Sequence, residues 1–181
     1  MRFTETAIAG AWIIDLEPHA DERGFFARTF SADEFAAHGI PSVFVQANTS
    51  FNRRAGTTRG LHYQDARAPE AKLVRCISGA IVDVIVDLRP DSPTYRQHVM
   101  VELRAEERRQ VLIPELCAAG YQTLVDDTEV SYLVSGVYTP AAEHGVRYDD
   151  PALAIPWPLP AAELSPKDAS WPPLVDDTIV P

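Results

Sequence analysis

The 181 residues are 46% hydrophobic and 23% charged, with a formal net charge of −10 at pH 7. That length and apolar content suit one domain with a core of its own and exclude wholesale disorder. The acidic balance argues against a nucleic-acid or anionic-membrane surface, and no apolar run approaches the ~18 residues of a membrane span or the pattern of a signal peptide, so a soluble, cytoplasmic protein is expected.

In chain order, Ala11-Trp-Ile-Ile14 reads as a strand and Asp21-Glu-Arg-Gly-Phe-Phe26 as a turn that presents Arg23. Ser31-Ala-Asp-Glu34 has the spacing of a capping box, and Gly39 stands where a helix would stop, so the spacing predicts a short helix over 32–38. From Val43 the texture is β. Val43–Asn48 is strand-like, and 52–56 is a polar, basic loop. Ala80–Leu88 alternates, with Val82, Val84, Val86 and Leu88 on one face and Asp83 and Asp87 on the other. Val99–Leu103, Gln110–Ile113, Tyr121–Val125 and Val130–Val134 follow as short strands. Many short strands with one minor helix predict an all-β sandwich or barrel, of jelly-roll type. Eight of the 15 prolines fall after Asp149. Such a segment cannot form central strands, so 150–181 is expected to wrap the single domain as an extended arm with one helical turn near Ser165–Asp168.

The polar chemistry concentrates between Thr58 and Gly79, where Arg59, His62, Lys72 and Arg75 interrupt two strand-like segments. Of 16 basic residues only two are lysines, Lys72 and Lys167, which sets both apart from a generic solvated surface. Cys76 and Cys117 have no metal-like or CxxC spacing and read as buried free thiols. Gln64 stands two positions after His62, where a metal-binding jelly roll would offer a second histidine, so no metal site is expected. No P-loop, dinucleotide fingerprint or nucleophile elbow is present. Acid–base chemistry remains. His62 is the default proton acceptor, and a carboxylate beside it would fix its tautomer. Lys72 would stabilise an oxyanion formed when a proton leaves carbon next to a carbonyl. Tyr132 shares its face with Val130 and Val134 and should point inward. There it is either an ordinary core tyrosine or an acid that returns a proton from the opposite side.

Several segments in order, from Asp21-Glu-Arg-Gly-Phe-Phe26 to Leu164-Ser-Pro-Lys-Asp168, carry a resemblance. They include Arg59-Gly-Leu-His-Tyr-Gln64, Lys72-Leu-Val-Arg-Cys76, Val82-Asp-Val-Ile-Val-Asp-Leu88, Ser92-Pro-Thr94, Arg109-Gln-Val-Leu-Ile-Pro-Glu115, Tyr138-Thr-Pro140 and Asp149-Asp-Pro151. The chain closely resembles the dTDP-4-dehydrorhamnose 3,5-epimerase family, from about Asp21 to Pro173. The resemblance implies a cupin-like jelly roll, free of metal and cofactor, that forms a homodimer by exchanging N-terminal strands. It implies a dTDP-linked 4-keto-6-deoxy sugar as substrate. By the same resemblance His62 is the base, Asp168 its dyad partner, Lys72 the group facing the enolate oxygen and Tyr132 the acid. Arg23, Gln46, Asn48, Arg59, Glu143 and Lys167 match positions that hold nucleotide, diphosphate or sugar, and Tyr138 matches the residue that stacks on thymine.

Three departures stand out. Cys117-Ala-Ala-Gly-Tyr121 replaces the family's Phe-Ala-His-Gly-Phe, so Ala119 stands where a pocket histidine is usual. Arg28 takes the place of a glutamate, and Gln46-Ala-Asn48 that of Gln-Asp-Asn. They leave open inversion at C3, C5 or both, a single-site epimerase of a specialised deoxysugar pathway, or an isomerase of another carbonyl compound. A non-catalytic nucleotide-sugar binding module would not need the acid and base that this chain keeps.

Overall fold

Short alternating runs, each too small to bury itself, pair into two facing sheets in a computed structural model that describes residues 1–174. The elements are β1 (Arg2–Glu5), β2 (Trp12–Asp15), β3 (His19–Asp21), β4 (Gly24–Phe26), α1 (Ala32–Ala37), β5 (Gln46–Asn52), β6 (Thr58–Gln64) and β7 (Lys72–Ser78). They continue with β8 (Ala80–Asp87), β9 (His98–Arg104), β10 (Gln110–Ile113), β11 (Cys117–Thr123), β12 (Thr128–Val134), β13 (Glu143–Gly145) and α2 (Pro166–Ala169). A six-stranded sheet runs β1-β2-β10-β7-β12-β5 and a five-stranded sheet β13-β6-β11-β8-β9, while β3 and β4 form a separate hairpin. This all-β arrangement of antiparallel pairs within two facing sheets is the expected cupin-like jelly roll.

Between the sheets lies the main core. Val74, Cys76, Val111, Ile113 and Val130 meet Ile81, Ile85, Val101, Leu103 and Tyr121 across it. Each fully buried aliphatic side chain there contributes about 1.5–3 kcal/mol over its exposed state. Two smaller clusters cover the outer faces. Phe35 of α1, with Ile40, packs on Ile14, Leu73 and Leu112 outside the six-stranded sheet. Leu153, Ile155, Trp157 and Leu174 of the C-terminal arm cover Leu61, Tyr63, Val84 and Val86 outside the five-stranded sheet. Strand β8 is therefore buried at every position. Its aspartate face turns to the space between the sheets.

Register explains where the observed strands differ from the expected ones. β5 starts at Gln46 because its one partner strand, β12, ends at Val134 opposite it; Val43 and Val45 stay exposed. β11 begins at Cys117, since Cys117 to Thr123 pairs with Asp87 to Ile81 along the whole of β8. The Ala-Ala-Gly run hides that strand from propensity. The 3-10 turn Pro140–Ala142 and β13 carry no periodic signal and were not anticipated. α1 forms as expected, but Ser31 makes no side-chain cap bond.

The proline-rich arm is extended and fixed to the five-stranded sheet. Gln122, fully buried, accepts from Leu159 N–H through Oε1 and donates to its carbonyl through Nε2, both at 2.9 Å. Thr58 N–H donates to the Glu163 carbonyl at 2.9 Å, beside the Thr57–Glu163 bridge. The arm's expected helical turn is α2. Residues 175–181 of the expected arm lie outside the described residues.

Candidate active site

Arg59 and His62 are three apart, so a regular strand would send them to opposite faces. A β-bulge prevents that. The β6–β11 register shifts between Ala119, which pairs with His62, and Tyr121, which pairs with Arg59. The shift depends on two glycines in contact. A Cβ on Gly60 would stand 2.5 Å from Gly120 Cα, and one on Gly120 would stand 2.4 Å from the Arg59 carbonyl. Both Arg59 and His62 therefore line one cavity of about 270 Å³ between the sheets.

α2 brings the carboxylate to His62. Ser165 caps the turn, accepting from Asp168 N–H at 3.0 Å, and Pro166 supplies the fixed φ of its first residue. Asp168 Oδ1 lies 2.6 Å from His62 Nε2, and Oδ2 accepts from Gly60 N–H at 3.4 Å. The Asp168 side chain is only 5% exposed. Burial works to raise its carboxyl, yet the His62 contact and the Gly60 N–H hold it below the usual carboxylate range. At neutral pH Asp168 therefore meets the His62 ring as an anion.

The facing sheet supplies the other wall. Lys72 and Val74 of β7 and Val130 and Tyr132 of β12 line the same cavity. The Lys72 ammonium reaches Glu70 Oε1 at 3.2 Å and the His62 carbonyl at 3.4 Å. Burial raises the Tyr132 phenol above its ordinary value, so it stays protonated. Arg75 does not join them. It alternates with Lys72, Val74 and Cys76, whose face is the interior, so it shares the outer face with Leu73.

A second compartment of about 360 Å³ shares His62, Lys72 and Tyr132 and opens toward Gln46, Asn48, Tyr138 and Glu143. Burial works against the Glu143 charge, but Lys167 Nζ at 2.5 Å and the Tyr138 hydroxyl at 2.6 Å keep its carboxyl low. Gln46 Oε1 accepts from Tyr138 N–H at 3.2 Å, and Gln64 Oε1 from Thr139 N–H at 2.6 Å, which fixes the loop carrying the half-exposed Tyr138 ring. One inner and one outer chamber thus meet at the histidine.

Ten of the eleven expected site residues gather here; Arg23 does not. It stands on the β3–β4 hairpin, 90% exposed and paired with Asp21 at 2.5 Å. Arg28 faces Glu34 on the same side of the molecule, Ala47 is exposed on β5, and Ala119 lines the inner chamber. Sequence reasoning missed three residues. Asp83 lines the inner chamber, and its signal was a carboxylate inside an apolar run. Glu70 pairs with Lys72. The Trp171 ring lies 6.2 Å from the His62 ring and against Gly145, where a Cβ would meet it at 2.1 Å.

With this geometry in view, known proteins offer close parallels. The family model for dTDP-4-dehydrorhamnose 3,5-epimerase matches residues 5–176. The dTDP-4-dehydrorhamnose 3,5-epimerase of Methanothermobacter thermautotrophicus is 42% identical, across 98% of this chain and 97% of its own length. A dTDP-4-dehydrorhamnose 3-epimerase of Streptomyces niveus is 43% identical, across 93% of this chain and 81% of its own. The crystal structure of the Bacillus anthracis 3,5-epimerase with TDP and PPi bound superposes with a TM-score of 0.92 at 40% identity, covering 96% of this chain and 99% of that one. The chain belongs to the dTDP-4-dehydrorhamnose 3,5-epimerase family.

Proposed function

We propose that this enzyme inverts a dTDP-linked 4-keto-6-deoxy sugar at carbons flanking its C4 ketone, by deprotonation from one wall of the cavity and reprotonation from the other. One observation carries the reading. The His62–Asp168 pair belongs to the five-stranded sheet and its arm, whereas Lys72 and Tyr132 face it from the six-stranded sheet. A base and an acid on opposite sides are what inversion requires, while a binding module needs neither.

The roles follow from the groups. Asp168 as an anion accepts the Nε2–H of His62, which leaves Nδ1 as the basic nitrogen. His62 removes the proton next to the ketone. As it becomes imidazolium, the Asp168 charge stabilises it. Lys72 offsets the negative charge that develops on the C4 oxygen as the enolate forms. Tyr132, kept protonated by burial, returns a proton to the opposite face. Arg59 and Lys167 carry the positive charge for the diphosphate, Gln46, Asn48 and Glu143 hold polar groups of the nucleotide or sugar, and Tyr138 offers its exposed ring to thymine. The inner chamber fits the sugar and the outer one the nucleotide.

The reading includes a cytoplasmic homodimer. The exposed Phe25 and Phe26 on the β3–β4 hairpin support it, as does Arg23, which stands apart from both chambers. Two buried free thiols fit a reducing compartment. A monomer mass in sedimentation at micromolar concentration would refute the dimer.

The test is proton NMR of dTDP-4-keto-6-deoxyglucose in heavy water, with wild type beside His62→Ala. Deuterium at both C3 and C5 establishes a 3,5-epimerase. Deuterium at C3 alone makes it a 3-epimerase like the Streptomyces niveus relative. No exchange with wild type overturns the reading.

A further inference from the structure

Strand β8 carries two buried carboxylates that are treated very differently. Asp87 is fully served. Arg89 Nη2 reaches it at 2.8 Å, Ser92 Oγ at 2.5 Å and Thr94 Oγ1 at 2.7 Å, so it closes the turn after the strand. Asp83 is 2% exposed and Oδ1 has no hydrogen-bond partner among the described residues. A buried carboxyl oxygen left unpaired is destabilising, and more so if it is charged. A fold that keeps such a group without serving it has a reason outside the fold.

The location gives the reason. Asp83 lines the inner chamber with His62 and Lys72. It pairs in register with Tyr121, while Ala119, two residues before, also lines the space. These are the positions where the chain departs from the family's His and Phe. Tyr121 is turned away from Asp83 in its bonding: its hydroxyl lies 2.7 Å from Ser50 Oγ and accepts from Asn52 Nδ2 at 3.2 Å. Ala119 has no polar group at all. Neither neighbour can satisfy the carboxyl, and Ala119 leaves open the volume that a larger side chain would fill.

Burial pushes the Asp83 carboxyl up to about 8 despite the pull of Lys72. At neutral pH the group is then mainly an acid, able both to donate and to accept. A sugar hydroxyl has the same dual capacity, and a neutral partner suits a site in which Lys72 must keep its charge for the enolate.

Resting on the proposal that this chamber takes the sugar, we propose that Asp83 is a specificity-determining residue: its carboxyl group binds a ring hydroxyl of the nucleotide sugar, in a space shaped by Ala119 and Tyr121. A site built to bond a hydroxyl rejects the analogue that lacks it, because the buried polar group is left unpaired. Ala119 sets how large the substituent beside that hydroxyl can be.

The experiment compares dTDP-4-keto-6-deoxyglucose with its 2-deoxy and 3-deoxy counterparts, reading kcat/KM for deuterium entry by NMR. Wild type should use one of the two deoxy sugars about 10–100-fold less well than the parent. Asp83→Leu should bring that ratio close to one, and Asp83→Asn, which still donates and accepts, should keep most of it. If wild type treats all three sugars alike, the assignment fails without recourse to any variant. If Asp83→Leu slows all three by the same factor, the carboxyl acts through Lys72 and not on a hydroxyl, which also overturns it. Wild type that exchanges deuterium into none of the three overturns instead the epimerase reading on which the assignment rests.

Discussion

Replacing Asp168 with asparagine keeps the shape of the side chain and removes its charge. Its consequences can be worked from the contact itself. The carboxylate oxygen is 2.6 Å from His62 Nε2 and almost fully buried, so little water screens the pair. The asparagine amide would donate to Nε2, which moves the ring proton to Nδ1, the nitrogen proposed to act as the base. It also removes the anion that stabilises the imidazolium. A wrong tautomer of this kind costs about 10³–10⁴ in kcat, equivalent to about 4–5.5 kcal/mol at ~1.36 kcal/mol per decade. The fold should survive, since an amide oxygen can still accept from Gly60 N–H and Ser165 still caps the turn through a backbone donor. The assay is deuterium entry at C3 and C5 in heavy water, with substrate affinity measured separately. Exchange within about tenfold of wild type, or a loss confined to KM, would refute the dyad.

Tyr132→Phe separates the two halves of the reaction. His62 should still exchange the substrate proton with solvent, so deuterium should enter with retained configuration while the inverted sugar fails to form; inversion at an undiminished rate would remove Tyr132 from the acid role. Gly60→Ala drives a Cβ to within 2.5 Å of Gly120 Cα, backbone against backbone, in a residue with φ of 119°. The bulge must yield, and a loss of about 1–3 kcal/mol in stability is expected, with melting unchanged from wild type as the contrary result. Asp83 predicts a pH slope. Its folded value near 8 lies above the ~3.9 of an unfolded aspartate, so between those values the native state holds a proton that the unfolded chain has lost. Stability from this group is full below about pH 4 and declines as pH rises toward 8. Asp83→Asn should flatten the fall in melting temperature between pH 5 and 8; parallel curves for the two proteins would sink the assignment.

Much of this was legible in the sequence because the signals were local. The alternation of β8, the proline density of the arm and the helical turn at Ser165 each follow from a few adjacent residues. The histidine and its lysine stood out as polar groups in apolar runs, and family likeness gave them partners. What stayed hidden depends on pairing. That Arg59 and His62 share a face is decided by a bulge whose cause, Gly120, lies on another strand, whereas Arg75 turns away from Lys72 by the plain alternation of β7. β11 was masked because its small residues stand where Gly120 crowds against Gly60 of the neighbouring strand. Asp83 and Asp87 look equivalent in sequence. Only the turn that serves one of them distinguishes a structural carboxylate from an unpartnered one.

The arm gives the enzyme an order of assembly. His62 sits in the first half of the chain, and its partner carboxylate arrives 106 residues later on a segment that bonds to both β6 and β11. The strands precede the arm in synthesis, so His62 has no carboxylate partner from the arm until Asp168 is made and Leu159 meets Gln122. On the proposed roles, a chain that stopped short of the arm would carry the pocket's walls without the dyad.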